Sequence, residues 1–252
     1  MMSACRHVVL MPSYNSGPLL LETVVGVLRA WPDVIVVIDG STDGSDATLA
    51  SLLPGNPGLE IVRRVRNGGK GSAVLAGALR ASARGFTHVL TMDADGQHPP
   101  EAIRGFIERS RAHPGAMILG APVFGADAPV VRVWGRKIAN GLARLKTAGA
   151  VRDCLFGFRV YPLADLLAVM RPSRFMKGFD FDPELAVRLC WRGVPAINVP
   201  TVVHYLSRAE GGISHFRYGR DNLRLGFMYL HLGGTWVWRS VRSHHGMPPR
   251  SF

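Results

Sequence analysis

The sequence predicts a doubly wound α/β domain on a mostly parallel sheet, and three observations carry that prediction. Short apolar runs alternate with segments whose apolar residues recur at helical spacing. Val34-Ile35-Val36-Val37-Ile38 is apolar and β-branched without alternation, as a parallel strand covered on both faces must be. Several runs stop abruptly at turn-forming, acidic or glycine-rich loops, and the carboxyl ends of strands in open α/β sheets are where ligands collect.

In chain order, His7 to Met11 reads as the first strand, closed by the turn-rich loop Pro12-Ser13-Tyr14-Asn15-Ser16-Gly17-Pro18. A helix from Leu19 to Ala30 is ended by Trp31-Pro32. The strand 34–38 stops at Asp39-Gly40-Ser41-Thr42-Asp43-Gly44-Ser45-Asp46, and Ala47 to Leu53 follows as a short helix. Glu60 to Val65 is a third strand, after which Arg66-Asn67-Gly68-Gly69-Lys70-Gly71-Ser72 opens an alanine-rich helix to Ala83. Glycines before a helix start let the backbone approach an anion, and Lys70 adds a mobile positive charge there. The spacing is not that of a P-loop. The strand ending at Thr91-Met92 precedes a helix from Glu101 to Arg111, and Arg136-Lys137 opens another through Leu145. Asp182-Pro183-Glu184 reads as a helix start, with Asp182 as N-cap and Pro183 at N1, for a helix through Trp191. A strand over Ala196 to Val203 and a helix from Tyr218 to about Leu232 complete the pattern. No internal repeat or Ser/Gly/Pro linker splits the 252 residues. The organisation expected is one main domain over 1–205 and a basic loop with an amphipathic helical extension over 206–252.

Charge and cysteine use narrow the function classes. The formal net charge of +12 attracts polyanions: nucleic acid, anionic head groups or phosphorylated substrates. No zinc spacing or aromatic nucleic-acid signature accompanies it, which argues against nucleic acid as a partner. Late arginines (Arg208, Arg217, Arg220, Arg224, Arg239, Arg242, Arg250) interleave with Tyr218, Phe227, Tyr229, Trp236 and Trp238, a pattern that suits an anionic membrane surface. The apolar stretch Leu225 to Trp238, interrupted by His231 and Gly233-Gly234, is shorter than the ~20 residues a spanning helix needs. It reads as an interfacial helix or as a homodimer contact. Cys5, Cys154 and Cys190 have neither metal spacing nor an even count, and the chain enters its first strand pattern without a signal-peptide core, so a cytoplasmic location is expected.

The most informative stretch runs from Thr87 to Pro100, where an apolar strand opens onto Asp93-Ala94-Asp95-Gly96-Gln97-His98-Pro99-Pro100. Residues i and i+2 of an extended backbone face the same way, so Asp93 and Asp95 can present oxygens to one point across the small Ala94. Two hard anionic ligands with open positions suit Mg²⁺ or Mn²⁺ carrying a diphosphate. The plain alternative is an Asp-Gly turn with solvated acids.

Four motifs occur in order: Pro12-Ser13-Tyr14-Asn15, Asp39-Gly40-Ser41-Thr42-Asp43, Asn67-Gly68-Gly69-Lys70-Gly71, and Met92-Asp93-Ala94-Asp95-Gly96-Gln97-His98-Pro99-Pro100-Glu101. On these residues the chain resembles the family 2 glycosyltransferases with the GT-A fold, a Rossmann-like mostly parallel sheet flanked by helices, and especially their polyprenyl-phosphate (dolichol-phosphate) mannosyl- and glucosyltransferase branch. The resemblance covers roughly the first half closely and continues more loosely to about Asp221.

The resemblance implies that Pro12 and Tyr14 contact the nucleotide base and ribose, Asp39 the base or ribose edge, and Asp43 and Lys70 the uridine or guanosine region. Asp93 and Asp95, with Ala94 between them, look like the family's donor- and metal-binding D-x-D motif, and Gln97 matches a third metal ligand. Arg136 is implied as a phosphate contact. Arg159 falls in a segment resembling the family's S-G-F-R, with Leu155-Phe156 where a small residue is common; a structural role at a sheet edge is the competing expectation. Arg208 and Ser214 match a mobile loop that closes over the donor phosphates; His215 stands there for Lys, and Arg217 could restore the charge. Ser16 stands where the branch usually has Glu, and Gly120-Ala121-Pro122 replaces Gly-Ser-Arg. The activity implied is inverting, metal-dependent hexose transfer from a GDP- or UDP-sugar to a lipid-associated acceptor such as polyprenyl phosphate at the cytoplasmic membrane face. A phosphate monoester, with a second pKa of about 6, is already anionic and needs no base. A hydroxyl of a lipid or polysaccharide precursor would need one, such as Asp182 or Asp180. A GT-A scaffold without turnover, or a basic polyanion-binding module, is the alternative of another class.

Overall fold

The computed structural model describes residues 5–123, 130–173, 175–203 and 218–244. Strands β1 (His7–Ser13), β2 (Val34–Asp39), β3 (Leu59–Arg64), β4 (His88–Thr91), β5 (Met117–Val123), β6 (Arg159–Pro162) and β7 (Ala196–Val202) form one sheet in the order β3-β2-β1-β4-β6-β5-β7. All neighbours run parallel except β6, which is antiparallel to both β4 and β5. The helices are α1 (Leu19–Ala30), α2 (Ser45–Ala50), α3 (Lys70–Ala83), α4 (Ala102–Ala112), α5 (Val130–Lys146), α6 (Leu163–Met170), α7 (Phe181–Trp191) and α8 (Tyr218–His244).

The strands are apolar throughout because each face of the sheet has its own core. Val8, Leu10, Ile35 and Val37 pack with Ala73, Val74 and Ala78 of α3, Leu185 and Leu189 of α7, and Met228 and Leu232 of α8. Val9, Met11, Val34, Val36 and Ile38 point the other way, onto Val24 and Val27 of α1 and Ile103, Phe106 and Ile107 of α4. Fully burying each such side chain contributes about 1.5–3 kcal/mol, so a polar residue at any of these strand positions would be costly on either face. Helix α3 lies tight on the sheet: a Cβ at Gly77 would come within 2.1 Å of Leu10 Cδ1, and one at Gly71 within 1.9 Å of the Met176 carbonyl oxygen. Gly77 lets the middle of α3 settle on the sheet, and Gly71 seats its start, and with it Lys70, under the loop that leads into α7.

Several boundaries differ from the sequence reading. Helix α3 begins at Lys70 itself, and α5 begins at Val130, so Arg136-Lys137 lies inside a helix instead of opening it. Helix α7 begins at Phe181, with Asp180 at the N-cap position; Asp182 lies within the first turn and Pro183 is beyond N1, so Asp182 is not the cap. Arg159 opens β6, a central strand and not a sheet edge, where it is fully buried. Helix α8 continues through Gly233-Gly234 to His244. Its inner side joins the core through Met228 and Leu232, and Tyr229 donates its hydroxyl hydrogen to the Ala139 carbonyl at 3.2 Å. Among the described residues no helix is long and apolar enough to cross a membrane.

Candidate active site

Strands β1, β2 and β4 lie side by side in parallel, with Ser13 opposite Ile38 and Leu10 opposite Thr91. The loops leaving their carboxyl ends therefore meet on one rim. On the β1/β2 side two loops are laced together. The Asn15 amide N–H donates to Ser41 Oγ at 3.0 Å, and Asn15 Oδ1 accepts the Thr42 N–H at 2.8 Å. Asp43 accepts the Gly17 N–H at 2.9 Å and both the N–H (3.1 Å) and the hydroxyl (2.7 Å) of Ser45. Asp43 is exposed, and although some desolvation works against its carboxylate, these hydrogen bonds outweigh it and hold its pKa below the usual range. Pro12 and Tyr14 are half-buried on this rim.

Asp39, at the end of β2, is 2% exposed and pairs with the Arg64 guanidinium. It also accepts N–H groups from Gly68 at 3.1 Å and Gly69 at 2.8 Å. The anion that the glycine loop approaches is thus Asp39. Gly40 beside it has φ +70°, and a Cβ there would sit 2.5 Å from the Asn67 nitrogen, so both backbone conformation and space require glycine.

Lys70 is not a mobile charge. Its side chain is 11% exposed, and its Nζ lies 2.7 Å from Asp93 Oδ1 and 2.7 Å from Asp182 Oδ2. Burial disfavours the ammonium, yet Asp182 and Asp93 outweigh it and hold the group charged well above an ordinary lysine pKa. Asp93 is half-buried, and the desolvation opposes ionisation, but Lys70 and other neighbours keep its pKa below normal. Asp95 is the opposite case: burial and the Asp93 charge push its carboxyl up to about 6, against the Gln97 N–H that its Oδ1 accepts at 3.1 Å. The Asp93 N–H donates to His98 Nδ1 at 3.0 Å, so the neutral imidazole carries its proton on Nε2, 4.0 Å from Asp93 Oδ2. Burial lowers the His98 pKa to about 4, and Phe156 packs edge-on against its ring at 4.7 Å.

Gly157 closes this cluster from the β6 side. A Cβ there would lie 2.7 Å from Lys70 Nζ and 2.8 Å from Asp93 Oδ2, while the Gly157 carbonyl accepts the Thr91 hydroxyl at 3.0 Å. Arg159 fixes the same turn from below, donating to the carbonyls of Phe156 (2.7 Å) and Asp182 (2.7 Å) and to Tyr161 Oη (3.1 Å). Asp153 binds Arg136 in a fork at 2.6 and 3.0 Å and accepts the Leu155 and Phe156 N–H groups at 3.0 and 2.8 Å.

The sequence-predicted residues separate accordingly. Asp93, Asp95, Gln97, Lys70 and Asp182 are gathered at one place, with Asp39, Asp43, Pro12 and Tyr14 on the adjoining rim. Asp180 does not face it: its carboxylate accepts the Met176 and Gly178 N–H groups at 3.1 and 2.8 Å and ties the loop before α7. Arg136 is engaged with Asp153. Arg208, Ser214, His215 and Arg217 lie outside the described residues. His98, Asp153 and Gly157 were not singled out from the sequence. His98 stands inside the quoted acidic motif, three residues past Asp95, which was the one available signal for it.

Among the described residues no group of three or more His, Cys, Asp or Glu is poised for a metal. The fit to a cation rests on the crowded pair Asp93 and Asp95: two half-buried carboxylates, one of which is pushed up to about 6 by desolvation and by the other, would be relieved by a divalent ion. Their hard oxygens, with the Gln97 amide as a third, suit Mg²⁺ or Mn²⁺.

A mostly parallel sheet of this order, with paired acids leaving the strand beside β1, is the architecture of the GT-A fold. Known proteins agree. The profile described as Glycosyl transferase family 2 matches residues 8–167. The polyprenol monophosphomannose synthase of Mycolicibacterium smegmatis is 30% identical over 201 residues, covering 77% of this chain and 76% of that protein. The undecaprenyl-phosphate mannosyltransferase of Micrococcus luteus is 26% identical over 201 residues, covering 77% and 82%. Among solved structures, glucosyl-3-phosphoglycerate synthase from Mycobacterium tuberculosis, in complex with Mn²⁺, UDP and glucosyl-3-phosphoglycerate, aligns with a TM-score of 0.62 at 18% identity over 97% of this chain and 81% of that one. A mannosyltransferase from Pyrobaculum calidifontis, in complex with GDP-Man and Mn²⁺, gives 0.59 at 20% identity over 88% and 61%. The chain belongs to glycosyl transferase family 2.

Proposed function

We propose that the protein transfers a hexose, with inversion, from a GDP- or UDP-sugar to polyprenyl phosphate at the cytoplasmic face of a membrane. The observation that carries the acceptor class is the state of Asp182. One of its oxygens is held by Lys70 at 2.7 Å, and the other, Oδ1, is buried with no hydrogen-bond partner among the described residues. A carboxylate neutralised by an ammonium and closed to solvent is a poor general base, and a phosphate nucleophile needs none. The relatives named for polyprenol and undecaprenyl phosphate support the same reading.

Asp93, Asp95 and Gln97 are the residues to hold Mg²⁺ or Mn²⁺. Such an ion neutralises the charge that builds on the departing nucleoside diphosphate. Pro12, Tyr14 and the Asn15–Asp43 lacing shape the nucleoside rim, and Asp39 sets its floor through Arg64 and the glycine loop. His98, neutral, fixes the backbone of Asp93 and excludes water beneath it. The acceptor phosphate oxygen attacks the anomeric carbon opposite the leaving diphosphate, and the bond from that carbon to the diphosphate oxygen breaks. Arg208 and Arg217 are the cations assigned to the phosphate groups, while Arg136, forked onto Asp153, would reach a phosphate only by leaving that pair.

In this proposal residues 1–205 carry the chemistry and 206–252 bring it to the lipid. Leu223, Phe227 and Leu230 stand exposed at i, i+4 and i+7 on α8, with Arg224 exposed beside them. Helix α5 presents Ile138, Leu142 and Leu145 in the same spacing, flanked by exposed Lys137 and Arg144. Apolar stripes edged with cations suit an anionic interface, where each Lys or Arg contributes about 1 kcal/mol. Incubation with a panel of UDP- and GDP-sugars, Mg²⁺ or Mn²⁺ and a lipid extract, followed by mass analysis of the lipids, tests the whole reading. A hexosyl-phospho-polyprenol is expected; a glycosylated hydroxyl lipid would replace the acceptor class, and no transfer from any donor would refute the activity.

A further inference from the structure

Lys70 occupies the place in this site that is hardest to explain by donor contact. Its Nζ is spent on two carboxylates, Asp93 Oδ1 and Asp182 Oδ2, each at 2.7 Å, and its side chain is almost covered. Gly157 presses on the same pair, since a Cβ there would lie 2.7 Å from Nζ and 2.8 Å from Asp93 Oδ2. The two ion pairs, and a backbone too close at Gly157 for any side chain to fit, hold Lys70 beside Asp93. A buried ammonium that shares Asp93 is therefore a fixed positive charge beside any divalent ion bound to that carboxylate, and in a covered site such repulsion is weakly screened.

We propose that Lys70 is a positioning residue that makes metal loading depend on the donor. Without nucleotide, the ammonium holds one oxygen of Asp93 and repels a free divalent ion. A nucleoside diphosphate supplies the negative charges that offset Lys70 and further oxygens for the ion, so metal and diphosphate enter as one complex. Asp182 has a defined part in this device. It takes half of the Lys70 hydrogen bonding and charge, so the ammonium binds Asp93 firmly enough to orient it and not so exclusively that the ion is shut out. The inference rests on Asp93 being a metal ligand, as in the function proposed above, but not on the acceptor.

The test is Mn²⁺ titration of the full chain, followed by electron paramagnetic resonance of the free ion, with and without GDP or UDP. For the unaltered protein either nucleotide is expected to tighten Mn²⁺ at least tenfold. Lys70→Met should tighten nucleotide-free Mn²⁺ tenfold or more and shrink the nucleotide dependence, and Mn²⁺ alone should then raise its melting temperature. Asp182→Asn leaves the whole charge of Lys70 on Asp93 and should weaken nucleotide-free Mn²⁺, the opposite direction; it carries the test if Lys70→Met does not fold. Lys70→Met binding Mn²⁺ no tighter than the unaltered protein, or Asp182→Asn binding it more tightly, would overturn the proposal. Nucleotide-linked Mn²⁺ binding without transfer to polyprenyl phosphate would overturn the acceptor and leave the role of Lys70 standing, whereas no Mn²⁺ binding under any condition would overturn both.

Discussion

Gly157→Ala is the most economical perturbation of the site, because it adds one methyl group and no charge. The added Cβ would meet Lys70 Nζ at 2.7 Å, Asp93 Oδ2 at 2.8 Å and Asp93 Cγ at 3.3 Å. Ordinary contact distances begin near about 3.5 Å, so the ion pair or the β6 turn must yield by several tenths of an ångström. Gly157 is not among the residues with positive φ, so alanine brings no backbone strain and the whole effect comes from this clash. Overpacking of this kind costs about 1–3 kcal/mol, which for a chain of this size lowers the melting temperature by roughly 3–10 °C. The effect on chemistry is larger than the effect on stability. A displacement of about 1 Å of a group that positions reactants can cost on the order of a hundredfold in rate. Turnover at saturating donor and Mn²⁺, measured beside a thermal melt, separates the two effects. Folded Gly157→Ala protein with turnover within twofold of the unaltered enzyme would refute the packing of Gly157 against the Lys70–Asp93 pair as a determinant of the site.

Three further outcomes follow from the same geometry. Asp95→Asn should leave the fold intact and reduce transfer by about a hundredfold or more, since on the proposed assignment it removes an oxygen that would hold the metal; near-normal turnover at saturating Mn²⁺ would exclude Asp95 as a ligand. The Asp95 carboxyl is pushed up to about 6 by burial and Asp93, and the ion binds only the deprotonated form, so Mn²⁺–nucleotide affinity should be flat above pH 6 and fall by up to about tenfold per unit below it. Affinity that rises on acidification would contradict that assignment. On the membrane side, Phe227→Glu on the exposed stripe of α8 should release the protein from anionic liposomes, as high salt should, while donor binding survives; truncating α8 is the wrong experiment, because Met228 and Leu232 belong to the core. Equal binding of Phe227→Glu and the unaltered protein to anionic and neutral vesicles would point to a subunit contact on this face instead.

What was legible in the sequence is what depends on local pattern. The uninterrupted apolar runs at Val8–Met11 and Val34–Ile38 announced strands covered on both faces, and the two separate cores of the sheet are the reason for that pattern. The four ordered motifs lie on loops at one rim because parallel strands place their carboxyl ends together. What was not legible depends on pairings between distant residues. Strand β6 is four residues long and opens with an arginine, which reads as a surface feature; its burial is possible only because several oxygens of the 153–161 segment and of Asp182 accept from its guanidinium. Asp182 resembled a helix cap because Asp-Pro-Glu is a common helix start, yet its partner is a lysine more than a hundred residues earlier. Asp180 resembled a candidate base, but its oxygens are used by the backbone two and four residues before it. Gly233-Gly234 suggested a break in α8; each glycine costs a helix about 1 kcal/mol, which the burial of Met228 and Leu232 offsets.

The central claim is that a nucleotide sugar meets a lipid phosphate at the Asp93–Asp95 site, with no base drawn from Asp182. The most direct measurement offers the purified enzyme two acceptors of identical chain length, a polyprenyl phosphate and the corresponding polyprenol, with labelled GDP- or UDP-hexose and Mn²⁺, and follows label in the lipid phase. Transfer to the phosphate and none to the alcohol is the expected result. Transfer to the alcohol, lost in Asp182→Asn, would contradict it and make Asp182 the base.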